Sequence, residues 1–145
     1  KINDNKLNNM VYLFPPIIGS EKSMAYNAAD FIVIPSRYDT MTIVALEAGA
    51  SNCPIIYSKD CDFDDLEINN CGIKINPNAE SLSDAILKLT KNNNLRNKMS
   101  DNIYNFILKN YSWEKIGSIF LKLIINIDKD YRSEELIDTI KKWFL

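Results

Sequence analysis

Asp30-Phe31-Ile32-Val33-Ile34-Pro35-Ser36-Arg37-Tyr38-Asp39-Thr40-Met41-Thr42-Ile43-Val44-Ala45-Leu46-Glu47-Ala48 is the stretch on which the fold turns. Its first part is rich in β-branched and aromatic residues and ends at a proline, which predicts a buried strand over 31–34 running into a loop. The second part is apolar with one acid inside it and predicts a helix near 42–50. Strand, loop and helix in this order are the unit of a parallel α/β sheet. In such sheets ligands bind beyond the carboxyl ends of the strands, where helix N-termini present unpaired N–H groups to anions. Asp39 falls in that loop. A helix beginning near Thr42, with the threonine oxygen as its cap, puts Glu47 about one and a half turns in. Its same-face neighbours are then Ile43, Val44, Ala50 and Ser51. A carboxylate flanked largely by apolar groups needs hydrogen-bond donors, because burial without them is costly. Sugar hydroxyls offer two donors side by side; the plainer alternative is an exposed strip of helix.

Working outward, Val11-Tyr12-Leu13-Phe14 reads as a strand stopped by Pro15-Pro16, and Ser20 as the cap of a short helix through Ala28. Beyond the central unit come a strand at 55–57, a weak helix near 63–68 and a strand at 73–75. Four strands separated by helices predict a doubly wound parallel sheet with right-handed crossovers. From Ser81 the pattern is helical throughout. Leu82, Ala85, Ile86 and Leu89 keep amphipathic spacing, and Leu95, Met99, Ile103, Phe106 and Ile107 continue it in the next helix. Asn92-Asn93-Asn94 separates the two with poor helix formers that cap well. Ser112 caps a third helix, with Ile116, Ile119, Phe120, Leu123 and Ile124 expected to face inward. The aromatic and methionine positions of these helices are expected in the core.

The chain has 145 residues, enough for one domain that buries roughly two thirds of its unfolded surface. Its 46% hydrophobic and 25% charged residues are globular proportions, and a net charge of −2 with no basic stripe gives no case for nucleic acid. Cys53, Cys61 and Cys71 match no zinc pattern, and with no histidine a metal site would need Asp and Glu alone. The odd cysteine count favours a reducing cytosol, and no run of apolar residues is long enough to span a bilayer. Lys1 is not a natural start, so the polar run to Asn9 is expected to lie inside a larger polypeptide.

The order of motifs resembles one family. From about Val11 to Tyr131 the chain is similar to the C-terminal, nucleotide-sugar-binding domain of retaining glycosyltransferases of the group 1 type, which have the GT-B fold of two facing Rossmann-like domains. The residues that carry the likeness are Ala29 to Ser36, an acid followed seven residues later by Glu47-Ala48, and Cys53-Pro54-Ile55-Ile56-Tyr57-Ser58. Cys71-Gly72-Ile73-Lys74-Ile75-Asn76-Pro77, Ser81 to Ile86 and Tyr111-Ser112-Trp113-Glu114 complete it.

The resemblance implies an α/β, Rossmann-like doubly wound domain over 1–130, with a C-terminal helix over 131–145 that docks on an N-terminal acceptor-binding domain. It implies transfer of a sugar from a nucleotide-diphosphate sugar to an acceptor hydroxyl with retention, with no metal or other cofactor. Asp39 would hold hydroxyls of the transferred sugar and Glu47 those of the ribose. The start of the helix, from Thr40 and Met41 through Thr42, Ile43 and Val44, would face the diphosphate with its N–H groups. Pro16 and Ile17 would begin the nucleobase slot, and Arg37 would either neutralise phosphate or pair with Asp39. The 145 residues alone are expected to be inactive. Family members commonly carry Glu-Gly-Phe-Gly where this chain has Asp39-Thr40-Met41-Thr42, and a Gly-Gly where it has Lys59-Asp60-Cys61-Asp62. Threonine replaces glycine's freedom with a β-branched side chain. That change keeps open a glycosyltransferase-like module without donor binding, serving as a partner or regulator. A GT-B sugar-nucleotide epimerase is a third reading, against which the lack of histidine counts. The tail, with Leu136, Ile137, Ile140, Trp143 and Phe144 on one face beside Lys141 and Lys142, also admits a second reading as a peripheral anchor at the inner face of the membrane.

Overall fold

The computed structural model describes residue 2, residues 4–40 and residues 42–128, with side chains placed as far as 124. Helix α1 (Ser20–Ala28) leads to strand β1 (Ile32–Ile34), helix α2 (Ile43–Ala50) and strand β2 (Ile55–Ser58). A 3-10 turn (Lys59–Cys61) and helix α3 (Asp64–Ile68) connect β2 to strand β3 (Gly72–Ile75). Three helices follow: α4 (Ala79–Lys91), α5 (Asn93–Tyr111) and α6 (Trp113–Asp128). The strands form one parallel sheet in the order β1-β2-β3, with Ile32 beside Ile55 and Ile55 beside Gly72.

Alternation along the strands divides the core in two, as a pleated sheet covered on both faces requires. Ile34, Ile55 and Tyr57 face α2, α3 and α5, packing with Ala45, Ala48, Leu66, Ile103 and Ile107. Ile56 and Ile75 face α4, packing with Ala85, Leu89 and Met99. The central strand β2 is buried along its whole length. Gly49 lets α2 press against α5: a Cβ there would lie 2.5 Å from Ile107. Cys53, Cys61 and Cys71 are buried free thiols. Burial pushes Cys53 and Cys71 up to about 11.

The polar punctuation between the helices works as side-chain caps. Asn78 accepts from the Ser81 amide at 2.8 Å, Asn92 from Leu95 at 2.9 Å and Ser112 from Lys115 at 3.2 Å. The cap of α1 is Gly19 at φ 60°, a left-handed conformation glycine adopts freely, rather than Ser20.

Three expectations are corrected. The stretch 11–14 forms no strand, so the described sheet has three strands rather than four. Val11 closes a turn back onto the Leu7 carbonyl at 2.9 Å, no strand among the described residues takes up the segment, and Leu13 and Phe14 stand 84% and 75% exposed. An extended segment without a partner has neither ladder nor core to hold it. Secondly, Ile116, Ile119, Phe120 and Leu123 of α6 do not face inward but are 41–56% exposed. Of the expected residues only Ile124 is partly covered, beside Gly117 and Leu121; α6 packs on α5, and one neighbouring helix cannot cover two faces. Thirdly, the aromatic positions are not all core: Trp113 is 82% and Tyr104 38% exposed, although Met99 is buried and Phe106 and Tyr111 stack with Phe63. The expected C-terminal helix over 131–145 lies outside the described residues.

Candidate active site

The carboxyl ends of the parallel strands open onto two loops, one after β1 and one after β2. These are tied together, because the Asp39 amide donates to the Asp60 carbonyl at 3.1 Å. Asp39 is therefore half-buried against the turn that ends β2 rather than swinging free. The loop after β1 then enters α2 through Thr42, buried, with φ −60° and ψ 124°. That conformation is open to any residue, so threonine sits without backbone strain where the family has glycine. Thr42 stands at the start of α2, its carbonyl accepting from Ala45 at 3.0 Å, but its side chain makes no cap hydrogen bond, contrary to expectation. Ile43 and Val44 are exposed in the uncapped first turn, where the helix dipole is positive. Met41 lies outside the described residues.

Glu47 stands one turn further along α2, its side chain 31% exposed. Its carboxylate does find donors, and they come from α1. Lys22 Nζ lies 2.5 Å from Oε1, and the Tyr26 hydroxyl donates to Oε2 at 3.0 Å. The Lys22 bond holds the carboxyl below the ordinary carboxylate range against the opposing effect of burial, and Tyr26 adds to it. Tyr26 is pushed up to about 12, chiefly by burial and then by Glu47, so it remains a donor across the physiological range. The need for donors inferred from the sequence is thus met within the chain. An ionised carboxylate has about four lone-pair sites, so among the described residues two are left without a donor.

The other predicted residues scatter around this pair. Arg37 is exposed and, among the described residues, forms no ion pair with Asp39. It lines a cleft of about 290 Å³ with Pro35, Ile75, Pro77, Asn78 and Leu82, between the ends of β1 and β3 and the start of α4. Thr40 is exposed. Pro16 and Ile17 lie in the irregular, exposed stretch before α1, so they do not mark a strand end as expected. Among the described residues no cluster of three or more His, Cys, Asp or Glu side chains could hold a metal ion. Lys22 and Tyr26 were missed by the sequence reading; the signal that could have found them is their spacing of four on the helix just before β1.

The family model described as glycosyl transferases group 1 matches residues 1–106, from the polar start through the strand–loop–helix unit to the middle of α5. The chain belongs to the group 1 glycosyl transferases. Two uncharacterized glycosyltransferases of Methanocaldococcus jannaschii are similar to it, one 34% identical over 127 residues and the other 30% over 103. Those alignments cover 85% and 68% of this chain but 32% and 26% of the relatives, so the chain spans about a third or less of their length. Two solved structures share the fold. Sucrose-phosphate synthase from Thermosynechococcus elongatus aligns with 86% of this chain and 33% of its own at a TM-score of 0.75 and 23% identity. The C-terminal domain of a group 1 family glycosyl transferase (LpcC) from Francisella tularensis aligns with 76% of this chain and 57% of its own, at a TM-score of 0.65 and 23% identity. The three-stranded parallel sheet with its C-terminal helices is thus the C-terminal half of a GT-B architecture. Among the described residues no helix is long and apolar enough to cross a membrane.

Proposed function

We propose that this group 1 domain binds the donor of a retaining glycosyltransferase, which moves a hexosyl-type sugar from a nucleotide-diphosphate sugar to an acceptor hydroxyl. One observation carries the reading: Asp39 and Glu47 flank an uncapped helix start at the carboxyl end of β1, the place where an α/β sheet receives anions. In this reading the amides of Ile43 and Val44 meet the diphosphate, whose negative charge grows as the sugar departs, and they do so from fixed positions. Arg37 and the amides from Thr40 to Thr42 add to that field. Glu47 accepts from ribose hydroxyls, and Asp39, anchored through Asp60, accepts from hydroxyls of the transferred sugar. The acceptor is bound by the rest of the polypeptide, onto which residues 131–145 dock or, alternatively, through which they reach a membrane surface. The three free thiols suit a reducing cytosol, where we place the reaction.

A second reading has its own support. Thr40 and Thr42 stand where family members commonly carry glycine, which lets a donor approach the backbone most closely. This reading makes the domain a non-catalytic partner or regulatory module. Calorimetric titration of the full-length protein with UDP-, GDP- and ADP-sugars separates the two. Saturable binding of one of them, with turnover on an added acceptor, supports the transferase; the absence of heat with all three leaves the module.

A further inference from the structure

Among the described residues, Glu47 is held by α1 alone. Lys22 and Tyr26 sit four residues apart on α1, hence on one face of it, and each takes a different oxygen of the carboxylate, at 2.5 Å and 3.0 Å. A carboxylate gripped at a single oxygen can rotate about its terminal torsion, which is broad and soft. Gripped at both, its plane is fixed. Each oxygen then keeps an acceptor site for another donor, and two neighbouring hydroxyls can meet such a pair together, as bidentate donors meet a carboxylate. Neither donor is needed for the core: α1 has no buried residue, the Lys22 side chain is 42% exposed, and the Tyr26 ring only abuts the α2 side of the core.

We propose that Lys22 and Tyr26 are positioning residues for the donor: by fixing the Glu47 carboxylate they set two aligned acceptors for the 2′ and 3′ hydroxyls of a ribonucleotide and so select ribose over deoxyribose. This rests on the reading of Glu47 as the ribose acceptor. Lys22 acts through charge as well as geometry, and Tyr26 through a neutral hydroxyl; both favour the ionised form of Glu47. Loss of either leaves Glu47 present but free to turn, and the cost falls on the discrimination between one hydroxyl and two.

The test uses the full-length protein with UDP, GDP and ADP and their 2′-deoxy counterparts as calorimetric probes. Wild type is expected to prefer the ribose form of its nucleotide by about 10- to 150-fold, the worth of one well-placed hydrogen bond to a charged acceptor. Lys22→Met and Tyr26→Phe are expected to lose most of that preference without a change in melting temperature beyond a few degrees, while Lys22→Arg keeps it. A readout independent of nucleotide is the carboxyl resonance of Glu47 in protein labelled with ¹³C-glutamate, assigned by its loss in Glu47→Gln. It should titrate at higher pH in both Lys22→Met and Tyr26→Phe than in wild type. An unmoved titration, or a ribose preference kept by both variants, overturns the inference alone. A wild-type protein that binds none of the diphosphates overturns the donor reading and takes this inference with it.

Discussion

Replacing Glu47 by Gln separates the structural work of this side chain from its functional work, because the two differ in size. The amide keeps the shape and an acceptor oxygen, so the contact with Tyr26 persists but falls from a charged to a neutral hydrogen bond, a loss of about 1 kcal/mol. The pair with Lys22 joins a lysine 42% exposed to a carboxylate 31% exposed, which puts it among partly solvated pairs worth about 0.2–1 kcal/mol. The fold should therefore lose about 1–2 kcal/mol by these sums. Binding loses more. Two ribose hydroxyls donating to an ionised carboxylate contribute about 1.5–3 kcal/mol each and about 0.5–1.5 each to a neutral acceptor, so roughly 2–3 kcal/mol disappears. That corresponds to an affinity for the nucleoside diphosphate about 30- to 150-fold weaker. Calorimetry at 25 °C on the full-length protein, with urea unfolding of the same samples, gives both numbers. Nucleotide affinity within about threefold of wild type, alongside the expected small loss of stability, would refute the reasoning: Glu47 would then be a helix-to-helix contact and nothing more.

Acid should act on the same contact. The folded carboxyl of Glu47 titrates below its ordinary value of 4.5, so the native state binds that proton less tightly than the unfolded chain. Its contribution is whole above pH 4.5 and fades as pH falls further, through the folded value. The urea midpoints of wild type and Glu47→Gln should accordingly converge on acidification, and a gap that widens instead contradicts the assignment. In the sheet, a Cβ on Gly72 would lie 2.4 Å from the backbone oxygen of Ile55 on the paired strand. Gly72→Ala should thus cost about 1–3 kcal/mol from overpacking, more than the gain of about 0.5–1 from a stiffer unfolded chain. A urea midpoint at or above wild type counts against that geometry. Asn92→Ala removes the acceptor for the Leu95 amide and should cost about 1 kcal/mol, read as a melting temperature lower by a few degrees. No change would mean the cap is idle.

The parts of the fold that the sequence displayed are those whose partners are near in the chain. Asp30 to Ala48 showed strand, loop and helix because β-branched residues, a proline and an apolar run follow one another there, and the structure has β1 and α2 in those places. The caps at Asn92 and Ser112 were legible for the same reason, each acting within three residues. Two caps expected on the same local grounds, at Ser20 and Thr42, were not made, but most of what failed depends on a distant neighbour. Val11 to Phe14 has strand composition, but composition does not supply the adjoining strand. The α6 stripe was read on a face that is exposed apart from Ile124, since Ile116 and Phe120 are as apolar as Leu121 and only packing against α5 decides between the faces. At the site the acids could be picked out because charges stand out in apolar sequence. Their partners stood out far less: the spacing of four between Lys22 and Tyr26 is a faint signal on what looks like a surface helix until α1 is laid beside α2.

The three thiols have a practical use. Cys53 precedes β2, Cys61 closes the turn after it and Cys71 leads into β3, so together they bracket the middle and one edge of the sheet. Each is buried, and burial disfavours the thiolate that an alkylating reagent must attack. Reagent can reach them only when the protein opens, so the chain carries three intrinsic reporters of its own breathing. The order in which they are alkylated under native conditions ranks how readily each border of the central strand comes undone.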